Sequence, residues 1–245
     1  MRLLLVAGSP EPSSPDLVAC LASASNLVMA VDRGADACRA AGVAPDAFCG
    51  DADTVSAGTL AWIRLALGRE GDRLDAIPAD DVRDVPEIAG VHGWRGLRMF
   101  PPAKYDTDLS LAFSCARQVA EEQGEPLEVT VTCASAGRMD HALAVFGVLA
   151  ANADLAPRLV EDAFECRVLS PRGRGCWELG EGHVGRHFSF VALADGSLVS
   201  ERGMRWNLDH FRVDALRDRG ISNVVDASDA SVTCHEGILA AFLMS

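Results

Sequence analysis

Lysine is nearly missing from this chain. Of its 22 basic residues, Lys104 is the single lysine and the rest are arginine. Tyrosine is as scarce: Tyr105, the next residue, is the only one. Positive charge in bulk is also lacking, the formal net charge being −13. A surface this acidic disfavours nucleic acid and anionic membranes, which both need a local excess of positive charge. It still admits an anionic small ligand escorted by a divalent cation or a few focused arginines, and its field attracts a cationic one. No apolar run approaches the length of a transmembrane helix, and the run that opens the chain, RLLLVAG, is too short for a secretory signal. There are eight cysteines but no C-x2-C pair, which removes the usual zinc-ribbon pattern. Several lie in apolar runs (LVAC, VTVTC), where cysteine serves as a small hydrophobe. A reduced, cytoplasmic protein with free thiols is expected. The stretch after the first apolar run, GSPEPSS, lacks G-x-G-x-x-G, so a dinucleotide-dependent dehydrogenase is poorly supported.

What is present is an ordinary globular core, with 49% hydrophobic and 23% charged residues over 245 positions. Up to about Pro157 strand and helix signals alternate. RLLLVAG (2–8), NLVMAVD (26–32), DAFCGD (46–51), LRMFP (97–101) and LEVTVTC (127–133) read as strands. Between and after them lie helical stretches: one opened by Ser14-Pro15, then ADACRAAG, 56–67, 107–123 and 138–153. That alternation implies a parallel sheet covered on both faces. Beyond it, CRVLS, CWELG, HFSFVAL, SLVSERG, SNVVDA and SVTCHEG are short strand-like runs broken by Gly, Pro and Asp, the pattern of an antiparallel β domain. The division expected is 1–156 and 157–245. Residues 68–96 fit neither pattern and read as a lid or an insertion.

In an open parallel sheet, ligands bind beyond the carboxyl ends of the strands. Those ends carry Asp32-Arg33-Gly34-Ala35-Asp36, Gly50-Asp51-Ala52-Asp53-Thr54, Lys104-Tyr105-Asp106-Thr107-Asp108 and Ser135-Ala136-Gly137-Arg138-Met139-Asp140-His141. An aspartate at a strand-to-helix junction is often an N-cap, and Asp106 or Asp140 alone reads either way. Four such loops in succession read as a site. Hard carboxylate oxygens at one edge suit Mg2+, which takes one or two carboxylates together with substrate phosphates. Arg138, behind Gly137 at a helix start, and Lys104 supply positive charge for phosphate. In the β region tryptophan is by default core, yet Trp206, between Arg205 and Asn207, suits an exposed aromatic plate. Ser222 and Asn223 offer small polar groups that can orient a heterocycle. His183 and His187, set among glycines, read as solvated loop residues.

In this order, the stretches resemble those of the thiamine pyrophosphokinase family. DRGAD (32–36), GDADT (50–54), KYDTD (104–108), SAGRMDH (135–141), GMRWNL (203–208) and ISN (221–223) are similar to its Asp-Gly-Gly-Ala-Asn, Gly-Asp-x-Asp-Ser, Lys-x-x-Thr-Asp, Gly-Gly-Arg-x-Asp-His, Gly-x-x-Trp and Ser-Asn elements. The chain departs from them at Arg33, where the family has glycine, at Asp36, where it has asparagine, and at Ser135-Ala136.

The resemblance implies an N-terminal Rossmann-like α/β ATP-binding domain with a parallel sheet, followed by a C-terminal antiparallel β-sandwich that binds thiamine. It implies a homodimer with thiamine near the interface. The implied reaction is Mg2+-dependent transfer of pyrophosphate from ATP to the thiamine hydroxyl, giving thiamine diphosphate and AMP. On this resemblance Asp51, Asp53 and Asp108 hold the metal, and Asp108, Asp51 and Arg138 carry the chemistry. Asp32, Arg33, Gly34, Lys104, Gly137, Arg138 and Asp140 contact ATP. Trp206 stacks on thiamine, and Ser222 and Asn223 orient its aminopyrimidine. Two other readings stand beside it: a pyrophosphokinase for another heterocyclic alcohol such as a hydroxymethylpterin, and a non-catalytic sensor in which Arg33 blocks productive ATP binding.

Overall fold

The structure, a computed structural model, describes residues 1–67, 96–100, 105–124 and 126–245. Lys104 and all of the 68–96 stretch except Gly96 lie outside the described residues. The chain divides into two compact units, Met1–Met139 and Asp140–Ser245.

The first unit is built on five parallel strands: β1 (Arg2–Val6), β2 (Leu27–Val31), β3 (Ala47–Gly50), β4 (Gly96–Met99) and β5 (Glu128–Thr132), in the order β5-β1-β2-β3-β4. Leu3 to Val6, Leu27 to Val31 and Ala47 to Gly50 are buried along their whole length. Such unbroken apolar runs are what strands covered on both faces require. Helices α1 (Pro15–Ser23), α2 (Gly34–Ala40), α3 (Ala57–Leu67) and α4 (Asp108–Gln123) make the connections. Helix α1 starts as its sequence says, with the Ser14 hydroxyl accepting from the Leu17 N–H at 3.3 Å and Pro15 in the first turn. Helix α4 is capped by Thr107, whose hydroxyl accepts from the Ser110 N–H at 3.3 Å. Its apolar stripe buries Leu109, Phe113, Ala116 and Val119. Helix α2 starts so close to β1 that a Cβ on Gly34 would lie 1.8 Å from the Val6 carbonyl oxygen. Only glycine fits there.

The second unit begins with helix α5 (Met139–Ala151, from Asp140 on) and continues as two antiparallel sheets. One holds β6 (Arg158–Glu161), β7 (Phe164–Leu169), β9 (His187–Ala192), β12 (Asn223–Val224) and β14 (Leu239–Met244), ordered β12-β9-β14-β7-β6. The other holds β8 (Cys176–Glu178), β10 (Ser197–Arg202), β11 (Leu208–Val213) and β13 (Ser231–Glu236), ordered β11-β10-β13-β8. Leu169, Phe188, Phe190 and Leu239 of the first sheet and Trp177, Val199, Val213 and Val232 of the second form one buried cluster. The fold class is therefore α/β with a parallel sheet, followed by an antiparallel β-sandwich.

All eight cysteines are free thiols, and six are buried. Burial pushes Cys38 up to about 12 and Cys234 up to about 11, so these thiols stay protonated and packed. Among the described residues, no helix is long and apolar enough to cross a membrane.

Candidate functional site

Three carboxylates converge at the carboxyl edge of the parallel sheet. Asp32 follows β2, Asp51 follows β3 and Asp108 opens α4. All three are half-buried, and one carboxylate oxygen of each lies within 4.8 Å of the other two. Cys49, at the end of β3, ties them together. Its carbonyl accepts from the Asp32 N–H at 2.9 Å, and its thiol contacts the Asp108 carbonyl at 3.9 Å. The backbone is left-handed at Asp32 (φ 46) and Ala52 (φ 61), a strained choice for residues with side chains that persists where the surroundings enforce it. Thr54 donates its hydroxyl to Oδ2 of Asp32. Oδ1 of Asp32 is buried and accepts no hydrogen bond from the described residues.

Two unit charges 4.8 Å apart repel by about 3 kcal/mol at an effective dielectric constant of about 20. A cation held between the three would offset this repulsion. The donor set is hard oxygen only and includes a buried oxygen with no donor, which fits Mg2+. Asp53, expected to complete the metal set, is exposed, and its N–H donates to Oδ1 of Asp51 at 3.2 Å. The third carboxylate of the cluster is Asp32 instead.

Around this cluster, Arg33 caps α2 with backbone only and is half-buried, and Gly34 is buried beside it. Asp36 accepts the Ser56 N–H at 3.1 Å and the Ser56 hydroxyl at 2.5 Å, which ties the loop after β3 to α2. Burial raises the Asp36 carboxyl, but hydrogen bonds from Ser56 and Thr59 outweigh it and hold it below its ordinary value. Ser9, buried, joins the ends of β1 and β5: its N–H donates to the Cys133 carbonyl at 2.9 Å and its hydroxyl to that of Ala136. Gly137, Arg138 and Asp140 follow, all exposed.

In the second unit, Trp206 lies between β10 and β11 with 60% of its surface exposed, as expected of an aromatic plate. The Arg205 guanidinium is 5.9 Å from its ring centroid. The turn before it needs Gly203 (φ 66), where a Cβ would lie 2.7 Å from the Ala230 Cα. Asn223 is buried and uses its whole amide on protein groups. Oδ1 accepts the N–H of Trp206 at 3.1 Å and of Val224 at 2.9 Å. Nδ2 donates to the Trp206 carbonyl at 2.8 Å and to Oε2 of Glu201 at 3.2 Å. Ser222 is exposed, in left-handed conformation (φ 64), with its N–H on the Ser189 hydroxyl at 3.0 Å. Glu201 and Ser9 were not singled out from the sequence. The signal for Glu201 was a charge two residues after Val199, on the strand face that alternation turns inward.

Residues 178–239 match the family model described as thiamin pyrophosphokinase, vitamin B1 binding domain. Among solved structures, the chain is similar to the thiamine pyrophosphokinase of Bacillus subtilis, at 20% identity over 100% of this chain and 99% of that one, with a TM-score of 0.72. It is similar to the enzyme of Geobacillus thermodenitrificans (21%, 100% and 98%, 0.70) and to that of Candida albicans (12%, 100% and 89%, 0.73). No curated protein matches at a significant level. At these identities the structural likeness establishes the fold. The match of the second domain agrees with the family resemblance carried by the six sequence stretches.

Proposed function

We propose that this chain is a thiamine diphosphokinase, moving pyrophosphate from ATP to the hydroxyl of thiamine and releasing AMP. The supporting observation is the convergence of Asp32, Asp51 and Asp108 at the sheet edge, in a chain whose second domain matches a vitamin B1 binding domain. The thiamine oxygen bonds to the β-phosphorus, the bond from that phosphorus to the α–β bridging oxygen breaks, and AMP leaves. The nucleophile is a neutral alcohol, so catalysis is mostly positioning and charge neutralisation.

Asp32, Asp51 and Asp108 would hold Mg2+, which when bound neutralises and orients the triphosphate. Asp108 also orients the hydroxyl or accepts its proton. Lys104 and Arg138 balance phosphate charge. Arg33, at the start of α2, adds a cation beside the nucleotide, and Asp140 orients Arg138 or the substrate. We assign ATP to residues 1–156 and thiamine to 157–245. Trp206 stacks on the thiazolium, a cation that gains from an aromatic face. A homodimer and a cytoplasmic setting complete the reading.

A non-catalytic sensor is disfavoured by the carboxylate cluster, since it would not need three like charges that repel each other without a metal. A pterin substrate is disfavoured by the domain match. The test is AMP release with ATP, Mg2+ and thiamine, run beside Asp108→Asn. Thiamine-dependent AMP lost in the variant by about a hundredfold or more is expected. Thiamine binding without AMP would mean a sensor, and a hydroxymethylpterin that outcompetes thiamine would mean another substrate.

A further inference from the structure

Glu201 poses a question that the proposed reaction does not answer. It lies on β10, two residues from Val199, in register with Val232 of β13, and both of these are fully buried core residues. Glu201 itself is 2% exposed. Its Oε1 has no hydrogen-bond partner among the described residues. A carboxylate in an apolar core with one oxygen unsatisfied is costly, and a leucine or methionine would fill the space without that cost. Its hydrogen-bond partner is the Nδ2 amide of Asn223, 3.2 Å from Oε2.

Asn223 explains the arrangement. A side-chain amide offers two donors on nitrogen and two acceptor positions on oxygen. In this protein all four are used, so the amide has no capacity left for a ligand. Two of the four bonds grip the main chain on both sides of one Cα, taking both the N–H and the carbonyl of Trp206. The clamp works in one orientation only. If the amide were reversed, its oxygen would face the Trp206 carbonyl and Glu201, and its nitrogen would face two N–H donors. Glu201 is one of the two acceptors that set this direction, and it comes from a strand of the opposite sheet of the sandwich.

We infer that Glu201 is a positioning residue for thiamine: acting through Asn223, it fixes the Trp206 peptide and with it the exposed indole on which the ligand stacks. This rests on the reading of Trp206 as the thiamine platform. Asn223 then belongs to the scaffold of the platform and not to the set of groups that touch the ring.

The experiment uses full-length protein labelled with 15N-tryptophan. Its four tryptophans give four backbone amide signals, and that of Trp206 is assigned by its loss in Trp206→Phe. Glu201→Met fills the site without an acceptor. It is expected to shift the Trp206 amide signal and speed its hydrogen exchange in the ligand-free protein. It should also raise the thiamine KM by roughly tenfold, while kcat and the KM for ATP stay within about twofold. Glu201→Gln, whose amide oxygen still accepts from Asn223, should keep both the signal and the KM. Glu201→Leu serves as a second apolar variant if the methionine variant does not fold. An apolar variant with the Trp206 signal unmoved overturns the inference, as does one with the signal moved and the thiamine KM unchanged. Absence of thiamine-dependent AMP from the wild type would overturn the functional reading, and the thiamine part of this inference with it. The amide signals of the ligand-free protein do not depend on that result.

Discussion

Replacing Glu201 by glutamine should change how stability depends on pH, by an amount the structure sets. Burial pushes the Glu201 carboxyl up to about 7 from its ordinary value of 4.5, against a smaller lowering by the Asn223 hydrogen bond. The folded protein therefore holds this proton more tightly than the unfolded chain. Well below pH 4.5 both states are protonated, and no ionisation difference separates them. As pH rises from there, the unfolded chain ionises first and the folded state loses ground until pH passes 7. A difference of about 2.5 units corresponds to about 3 kcal/mol. Glutamine cannot ionise, so Glu201→Gln escapes this loss. Wild type and variant should unfold with similar free energies at about pH 4. The variant should be the more stable by roughly 3 kcal/mol at pH 8, read from urea unfolding at several pH values. Curves that stay parallel from about pH 4 to pH 8 would refute the reasoning. They would mean that the carboxyl is solvated in the folded protein, and the account of its burial would fail with them.

Three further outcomes test the frame and the first unit. Mg2+ at about a hundred times its dissociation constant should stabilise the wild type by about 2.7 kcal/mol in thermal melts; Asp32→Asn should abolish this gain and Asp53→Asn should keep it, and the reverse result would restore Asp53 as the third carboxylate. Asp36→Ala should cost about 1–2 kcal/mol at pH 7 by removing the Ser56 anchor. Because the Asp36 carboxyl is held low when folded, that difference should shrink as pH falls through its folded value, which acid titration of the two proteins by circular dichroism would show. Gly34→Ala should cost at least about 3 kcal/mol or prevent folding, since its Cβ would meet the Val6 carbonyl; a urea midpoint like that of the wild type would refute the close approach.

Much of the frame was legible in the sequence because buried parallel strands are written as unbroken apolar runs. Less legible was any strand whose burial departs from that pattern. β14 (Leu239–Met244) is apolar throughout but lies in an antiparallel sheet, where alternation is the expected sign. β11 (Leu208–Val213) buries only Val213 fully, so its sequence reads as polar loop. At the candidate site, the strand ends were legible and the grouping was not. Asp51 and Asp53, two apart, would project alike from an extended chain. Ala52 is left-handed, which breaks that parallel and leaves Asp53 in solvent. Asp32 takes the place because the N–H of its own residue is bonded to Cys49 on the neighbouring strand, a pairing that no local pattern encodes. The clamp of Asn223 on Trp206 joins residues 17 apart and was equally silent. A polar residue beside a serine reads as a ligand contact until its partners are known.

The two units share a way of holding their functional groups, and it bears on how variants should behave. In the first, buried Cys49 holds the backbone of Asp32 and contacts that of Asp108, while the carboxylates stay half-exposed. In the second, buried Asn223 holds the backbone of Trp206, while the indole stays exposed. In both, a buried neutral side chain or strand end grips the main chain of the presented residue and leaves its side chain for a ligand. Pre-positioning of this kind lowers the entropy lost when a ligand orders its contacts. Substitutions at the holding residues should therefore weaken binding by loosening a group they do not replace. Substitutions at the presented carboxylates should remove the chemistry while leaving thiamine binding intact. Kinetics that separate kcat from KM would sort the residues of this chain into those two sets, and Glu201, which touches no ligand in this reading, belongs with the first.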